Sequence, residues 1–384
     1  MNILFMFFKP IKASDGGVER VTSILSKEFT LAGHQVYYLC TTPQSTTPSY
    51  NSQQLYLTKG ISIENQLINI VNRFNIDRVI NNDFSQESAD LLEKLPASVK
   101  IISVFHNMPF ATYRQERRIL LNLTPKHFIG KCFKYFGIIF PFIIREFYLN
   151  NQRQIFNKLI KASDKYALLS DRFIPRFNKI IGKYDTKKII IFNNPNTFNN
   201  INVTEEEKEN IILFVGRIEN TSKNVSDFIR VWNNIYPKYP TWKAIVVGDG
   251  SDLKRITLLS NSLGCKNISF EGKQENVIQY YRKAKFLCIT SIYEGWGMNI
   301  AEAMACKCVP IAYTSFEAVY DLIDNYKNGV LIPPFKTKIM EEELQKLIIN
   351  NELRQEMAEN ASEKIKKFSP NIIAAKWLQV LETL

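Results

Sequence analysis

The stretch that decides the fold is Phe286-Leu-Cys-Ile-Thr290-Ser-Ile-Tyr-Glu294-Gly-Trp-Gly297-Met298-Asn-Ile-Ala-Glu302-Ala. An apolar run ends at Thr290, two glycines follow, and a helical pattern begins near Asn299. Strand, glycine-bearing turn and helix in that order are one unit of a parallel α/β sheet, and such sheets bind ligands at the carboxyl ends of their strands. There the helix N-terminus points amide donors outward, and Gly295 and Gly297 leave the backbone open to close approach. Glu294 stands at the strand end and Glu302 inside the helix, so two carboxylates can address different hydroxyls of one polar ligand. The spacing alone is weak evidence, because 25 glutamates in 384 residues supply one or two such pairs by chance. A helix start stabilised by a nearby acidic group is the plain alternative.

Working outward, the same alternation recurs. Ile211–Val215 reads as a buried strand, followed by a helix over Val225–Tyr236, a strand over Lys243–Val247, the turn Gly248-Asp249-Gly250 and a helix over Asp252–Ser262. Nearer the N-terminus, Ile3–Phe8, Val36–Leu39, Arg78–Asn81, Lys100–Phe105 and Lys165–Leu169 read as strands, with a helix over Gly17–Ala32. The polar stretch from Asn193 to Glu209 reads as a linker. The expected architecture is α/β, with two Rossmann-like parallel sheets in domains 1–195 and 196–370, and a last helix over 371–384 free to return to the first.

Composition narrows the classes. A chain of 384 residues with 45% hydrophobic and 22% charged residues is an ordinary globular protein, neither disordered nor coiled coil. Its formal charge is +12, and residues 100–190 hold 18 Lys/Arg against 5 Asp/Glu, so one region owns the excess and its partner should be anionic. No GxxxxGK[ST] or third glycine after Gly248-Asp249-Gly250 is present, which argues against a P-loop or a dinucleotide fingerprint. No two aspartates stand two apart, and His34, His106 and His127 are scattered, so no metal is expected. The six cysteines form no CxxC pair and read as buried small hydrophobes in a reduced cytosol. Phe128 to Leu149 is interrupted by Lys131, Lys134, Arg145 and Glu146, and its uncharged core is about half a bilayer span.

Two further loops lie where parallel units put ligands. Gly216-Arg217-Ile-Glu-Asn-Thr-Ser-Lys223-Asn224 follows a strand and precedes a helix, so its Arg and Lys can hold a diphosphate without metal; two solvated loop cations are the alternative. Ala13-Ser-Asp-Gly16-Gly17-Val-Glu-Arg20 is a Gly-Gly turn that can bring amides to an anion or a sugar, or simply a turn.

With these motifs in this order, and with Glu302-Ala-Met-Ala and Asn328-Gly329 after them, the chain resembles the family 4 retaining glycosyltransferases. The similarity is strong from 211 to 335, fair over 1–42 and positional between 43 and 190. It implies the GT-B fold, two Rossmann-like domains facing a cleft, and a sugar moved from a nucleotide donor, UDP by the likeness of 286–335, to a lipid-linked or cell-surface glycan acceptor. Arg217 and Lys223 would neutralise the donor diphosphate as its charge grows. Glu294 would contact sugar hydroxyls and Glu302 the ribose diol. Gly16, Gly17 and the amides around Gly297 and Met298 would hold the donor, and His106 would approach its sugar. No cofactor or metal and no covalent carboxylate nucleophile are implied. The chain departs from the pattern in placing Trp296 for the usual Phe, Asn224 for the usual Gly, an extra residue between Arg217 and Lys223, an insertion at Cys306-Lys307-Cys308, and no glycine pair in Thr314–Ala318.

Met108 to Leu149 interleaves Arg114, Arg117, Arg118, Lys126, Lys131, Lys134 and Arg145 with seven aromatics from Phe128 to Phe147. Basic plus aromatic is also how nucleic-acid surfaces read; with no RNA-binding motif, the expectation is peripheral association with the anionic inner face of the cell membrane and no nucleic acid. A basic domain with buried aromatics is the alternative for the segment. For the whole chain, the alternatives are a nucleotide-sugar epimerase on the same fold and a non-catalytic basic protein.

Overall fold

A computed structural model describes residues 1–10, 16–45, 53–111, 120–123, 125, 127–198 and 201–384. It contains two parallel sheets. The first has β1 (Asn2–Phe7), β2 (Gln35–Ser45), β3 (Gln54–Thr58), β4 (Arg78–Asn81), β5 (Lys100–Phe105), β6 (Lys165–Leu168) and β7 (Ile189–Ile191), in the order β3-β2-β1-β4-β5-β6-β7. The second has β8 (Glu209–Val215), β9 (Lys243–Val247), β10 (Ile268–Gly272), β11 (Ala284–Ile289), β12 (Val309–Tyr313) and β13 (Val330–Ile332), in the order β10-β9-β8-β11-β12-β13. Every pairing is parallel. Each order reverses once, between β1 and β4 and between β8 and β11, and at a reversal the two following loops diverge and leave a crevice.

The strands are continuous apolar runs because helices cover both faces. Leu4, Phe5 and Met6 of β1 and Phe286, Leu287 and Cys288 of β11 are fully buried. In the second sheet, helix Val225–Ile235 presents Phe228, Ile229, Trp232 and Ile235 to the core at helical spacing.

By internal contacts the chain forms two units, one of residues 1–110, 148–197 and 368–384 and one of 111–147 and 198–367. Residues 111–147, placed with the first domain by the linear boundary at 195, belong to the second: the Asn122 side-chain amide donates to the Asn220 carbonyl at 3.0 Å. The final helix, Pro370–Thr383, belongs to the first unit. Trp377 stacks on Phe192 with centroids 3.9 Å apart, and Arg78 Nε donates to the Leu381 carbonyl at 2.7 Å. Cysteines 40, 288, 306 and 308 are buried, whereas Cys265 is half-buried and Cys132 exposed, so the uniform expectation of buried thiols fails at those two.

Candidate active site

In the second unit the site is assembled at the reversal between β8 and β11. Gly216 and Arg217 follow β8, and Glu294 follows β11. Three bonds lock the diverging loops together: the Ile292 amide to the Ser222 carbonyl (2.7 Å), the Thr290 hydroxyl to the Lys223 carbonyl (3.1 Å), and the Asn299 side chain to the Val215 carbonyl (3.1 Å). The result is a direct meeting of two residues 71 apart in sequence: Lys223 Nζ donates to Glu294 Oε1 at 2.5 Å. The Ser291 hydroxyl donates to the same oxygen at 2.6 Å, so Glu294 is aimed from two sides. These side chains are largely covered but still reach solvent, 21% exposed for Lys223 and 11% for Glu294. Arg217 is 69% exposed, its guanidinium 3.6 Å from Glu219, and is free to swing onto an anion.

The glycines of the motif have separate jobs. Gly248 has φ +138, and a Cβ there would lie 1.9 Å from the Gly216 carbonyl oxygen; one at Gly250 would lie 2.5 Å from that of Ile218. Gly248-Asp249-Gly250 is therefore a support that lets the Gly216–Ile218 backbone pass in contact, with the Ile218 amide bonded to the Asp249 carbonyl at 2.9 Å. Gly297, at φ +91, opens helix Met298–Ala305, whose first free amides belong to Met298 and its neighbours. Asn224 has φ +48, the left-handed region that glycine usually fills and asparagine tolerates, and its side chain donates to Asp227 at 2.7 Å. That accounts for the departure at this position. Trp296 is buried, a packing residue.

Glu302 is 2% exposed, and its Oε2 accepts from the Tyr281 hydroxyl at 3.0 Å. It stands deeper than Glu294, held by a phenol that nothing in the local sequence announced. Ser291, which aims Glu294, lay inside the quoted motif and was likewise not singled out.

In the first unit, His106 follows β5 beside the end of β4. Its Nε2 lies 2.6 Å from Asn82 Oδ1, and since an amide oxygen only accepts, the ring donates from Nε2. Nδ1 is left as a buried acceptor with no hydrogen-bond partner. Burial lowers the ring's pKa from 6.5 to about 4, so it is neutral near pH 7. Beneath it, Asn81 binds Ser88 and Ser103, and Asp83 has its pKa raised, chiefly by burial. Gly16 caps helix Gly17–Leu31 in extended backbone, where a Cβ would lie 2.7 Å from the Glu19 carboxylate. Residues 13–15 of that turn, and Arg114, Arg117, Arg118 and Lys126, lie outside the described residues. Among the described residues no three His, Cys, Asp or Glu side chains are grouped to share a metal ion.

Known proteins resemble this chain in part of its sequence and in its fold. Residues 196–364 match the family described as Glycosyl transferases group 1. An α-1,4-N-acetyl-D-galactosaminyltransferase of Campylobacter jejuni, acting on GalNAc-α-(1→4)-GalNAc-α-(1→3)-diNAcBac-PP-undecaprenol, is 28% identical over 176 residues, 46% of this chain and 48% of that protein. The amylovoran biosynthesis glycosyltransferase AmsD of Erwinia amylovora is 26% identical over 202 residues, 52% of this chain and 55% of its own. The chain thus spans about half the length of these relatives. Among solved structures, Anabaena HepE in complex with UDP-glucose superposes with a TM-score of 0.73 over 100% of both chains at 13% identity. A glycosyltransferase from Rickettsia africae gives 0.72 at 17% identity, over 100% of this chain and 98% of its own. The chain has the GT-B fold, and its residues 196–364 match the glycosyltransferase group 1 domain.

Proposed function

We propose that this chain is a retaining glycosyltransferase that moves a hexose or N-acetylhexosamine from a UDP donor to a lipid-linked or cell-surface glycan in polysaccharide biosynthesis. The observation that carries the reading is the cluster at the β8/β11 reversal: Arg217, Lys223 and Glu294 beside the open helix start at Gly297 and Met298. Two cations and free amides suit a diphosphate, and carboxylates suit sugar hydroxyls. The UDP-glucose held by HepE and the N-acetylgalactosaminyl transfer named for the Campylobacter relative support the donor class.

In the transfer, the bond from sugar C1 to the β-phosphate oxygen breaks, and a bond from C1 to the acceptor oxygen forms on the same face. The acceptor's hydroxyl proton passes to the departing phosphate, and UDP leaves. Arg217 and Lys223 stabilise the charge growing on that phosphate, the task a metal ion performs elsewhere, so no metal is required. As Lys223 turns to the diphosphate, Glu294 is released to the sugar hydroxyls, with Ser291 keeping its orientation. Glu302, steadied by Tyr281, takes the ribose diol. In the first unit, the bare Nδ1 of His106 and the Gly16-Gly17 turn are assigned to donor contacts.

The test is turnover of UDP-sugar with Arg217→Ala and Glu294→Gln. Each should lower kcat/KM by about 10²- to 10³-fold, while the melting temperature stays that of the unaltered chain. Full activity in both variants refutes the assignment.

A further inference from the structure

We propose that the helical hairpin 128–147 is an in-plane membrane anchor that inserts its aromatic face into the interfacial region of an anionic bilayer. The helices Phe128–Ile139 and Pro141–Ala162 meet at Phe140. An ordinary surface helix turns its apolar stripe toward the core. This one is inverted. At 3.6 residues per turn, Phe128, Ile129, Cys132, Phe133, Tyr135, Phe136 and Ile139 fall within an arc of about 160°, and every one of them is exposed, Phe128 at 79% and Ile129 at 81%. The opposite face carries Gly130 and Gly137 beside Lys134. A Cβ on Gly130 would lie 2.9 Å from Pro125, and one on Gly137 would lie 2.8 Å from Leu120 and 3.1 Å from Ile144. The helix is thus seated closely on its own unit by its smallest residues while its largest point outward. Phe140, Phe142, Ile143 and Phe147 extend the exposed face into the second helix.

Charge selects the occupant. Lys131 stands beside the apolar arc, 40° beyond its edge at about 100° per residue, and on the second helix Arg145 lies 3.7 Å from Glu146. Lys134 lies on the opposite, seated face, where its ammonium donates to the carbonyls of Leu121 and Leu123 at 3.1 and 2.9 Å and ties the helix to its own unit. The segment lies in the region of 18 Lys/Arg against 5 Asp/Glu, complementary to an anionic leaflet. Among the described residues no helix is long and apolar enough to cross a membrane; aromatics flanked by Lys and Arg suit a helix lying in the interface. The proposal stands independently of the reaction above.

The experiment is co-sedimentation with phosphatidylcholine vesicles with and without phosphatidylglycerol. The unaltered chain should bind the anionic vesicles. Phe128→Ser with Ile129→Ser should weaken binding about tenfold or more, and Lys131→Glu about fivefold. UDP-sugar turnover on a water-soluble acceptor should be unchanged in both, so loss of vesicle binding and loss of chemistry are separable. A polarity-sensitive fluorophore on the exposed Cys132 should shift to the blue on anionic vesicles, a readout that needs no substitution. Absent vesicle binding, binding undiminished in the double variant, or an unshifted fluorophore overturns the proposal. So does a concentration-dependent dimer abolished by the same substitutions, which would assign the face to a second copy.

Discussion

His106 sets a pH dependence of stability that can be worked out in advance. Its pKa is 6.5 in the unfolded chain and about 4 in the fold, because burial disfavours the imidazolium. Above pH 6.5 neither state binds the proton and stability is complete. As pH falls below that value the unfolded chain is protonated and the folded one is not, so stability declines until about pH 4. Between pH 7.5 and 5 the loss is about 2 kcal/mol, and about 3 kcal/mol when both forms are protonated. For a unit of this size, 2 kcal/mol lowers the melting temperature by about 4–8 °C. The assay is calorimetry of the unaltered chain and of His106→Gln across that range. Asp83, whose pKa is raised, contributes a trend of opposite sign, and the comparison cancels it because both proteins carry it. His106→Gln should lose the extra pH dependence. Parallel melting curves for the two proteins would refute the claim that His106 is buried neutral.

Three other outcomes follow from geometry. Lys208 is buried, and its ammonium donates to the carbonyls of Tyr281, Ala284 and Cys306 at 3.0, 2.9 and 2.6 Å; Lys208→Met leaves three acceptors bare and should cost about 3 kcal/mol, read as a shifted urea midpoint. Gly248→Ala forces a Cβ onto the Gly216 carbonyl at a φ that L residues rarely adopt, so donor affinity, measured by calorimetric titration with UDP, should fall about tenfold or more. Exhaustive chelation should leave transfer unchanged; restoration of a lost rate by Mg²⁺ or Mn²⁺ would show that Arg217 and Lys223 do not suffice.

Much of the fold was legible because its signals are local. Apolar runs such as Ile211–Val215 and Phe286–Ile289 are strands buried on both faces, and their alternation with helices admits little but a parallel sheet. The glycines of 248–250 and 295–297 announced turns, although the sequence could not say that Gly248 exists to let Gly216 pass. Asn82 under His106, Tyr281 on Glu302 and Ser291 on Glu294 were missed, the first two because they come from other strands or helices.

The segment 128–147 marks the division most clearly. Its composition showed aromatics interleaved with Lys and Arg, from which an exposed, membrane-facing arrangement was expected and a buried one stood as the alternative. The tertiary structure decided between them: Gly130 and Gly137 hold the helix against Pro125, Leu120 and Ile144, and that contact turns the rings outward. In the same way, sequence placed Lys223 and Glu294 each at a strand end, but only the adjacency of β8 and β11 brought them within 2.5 Å. The physical reason is the same in both cases. Period and turn chemistry are written along the chain, whereas strand order and the choice of buried face depend on what packs from far away in sequence.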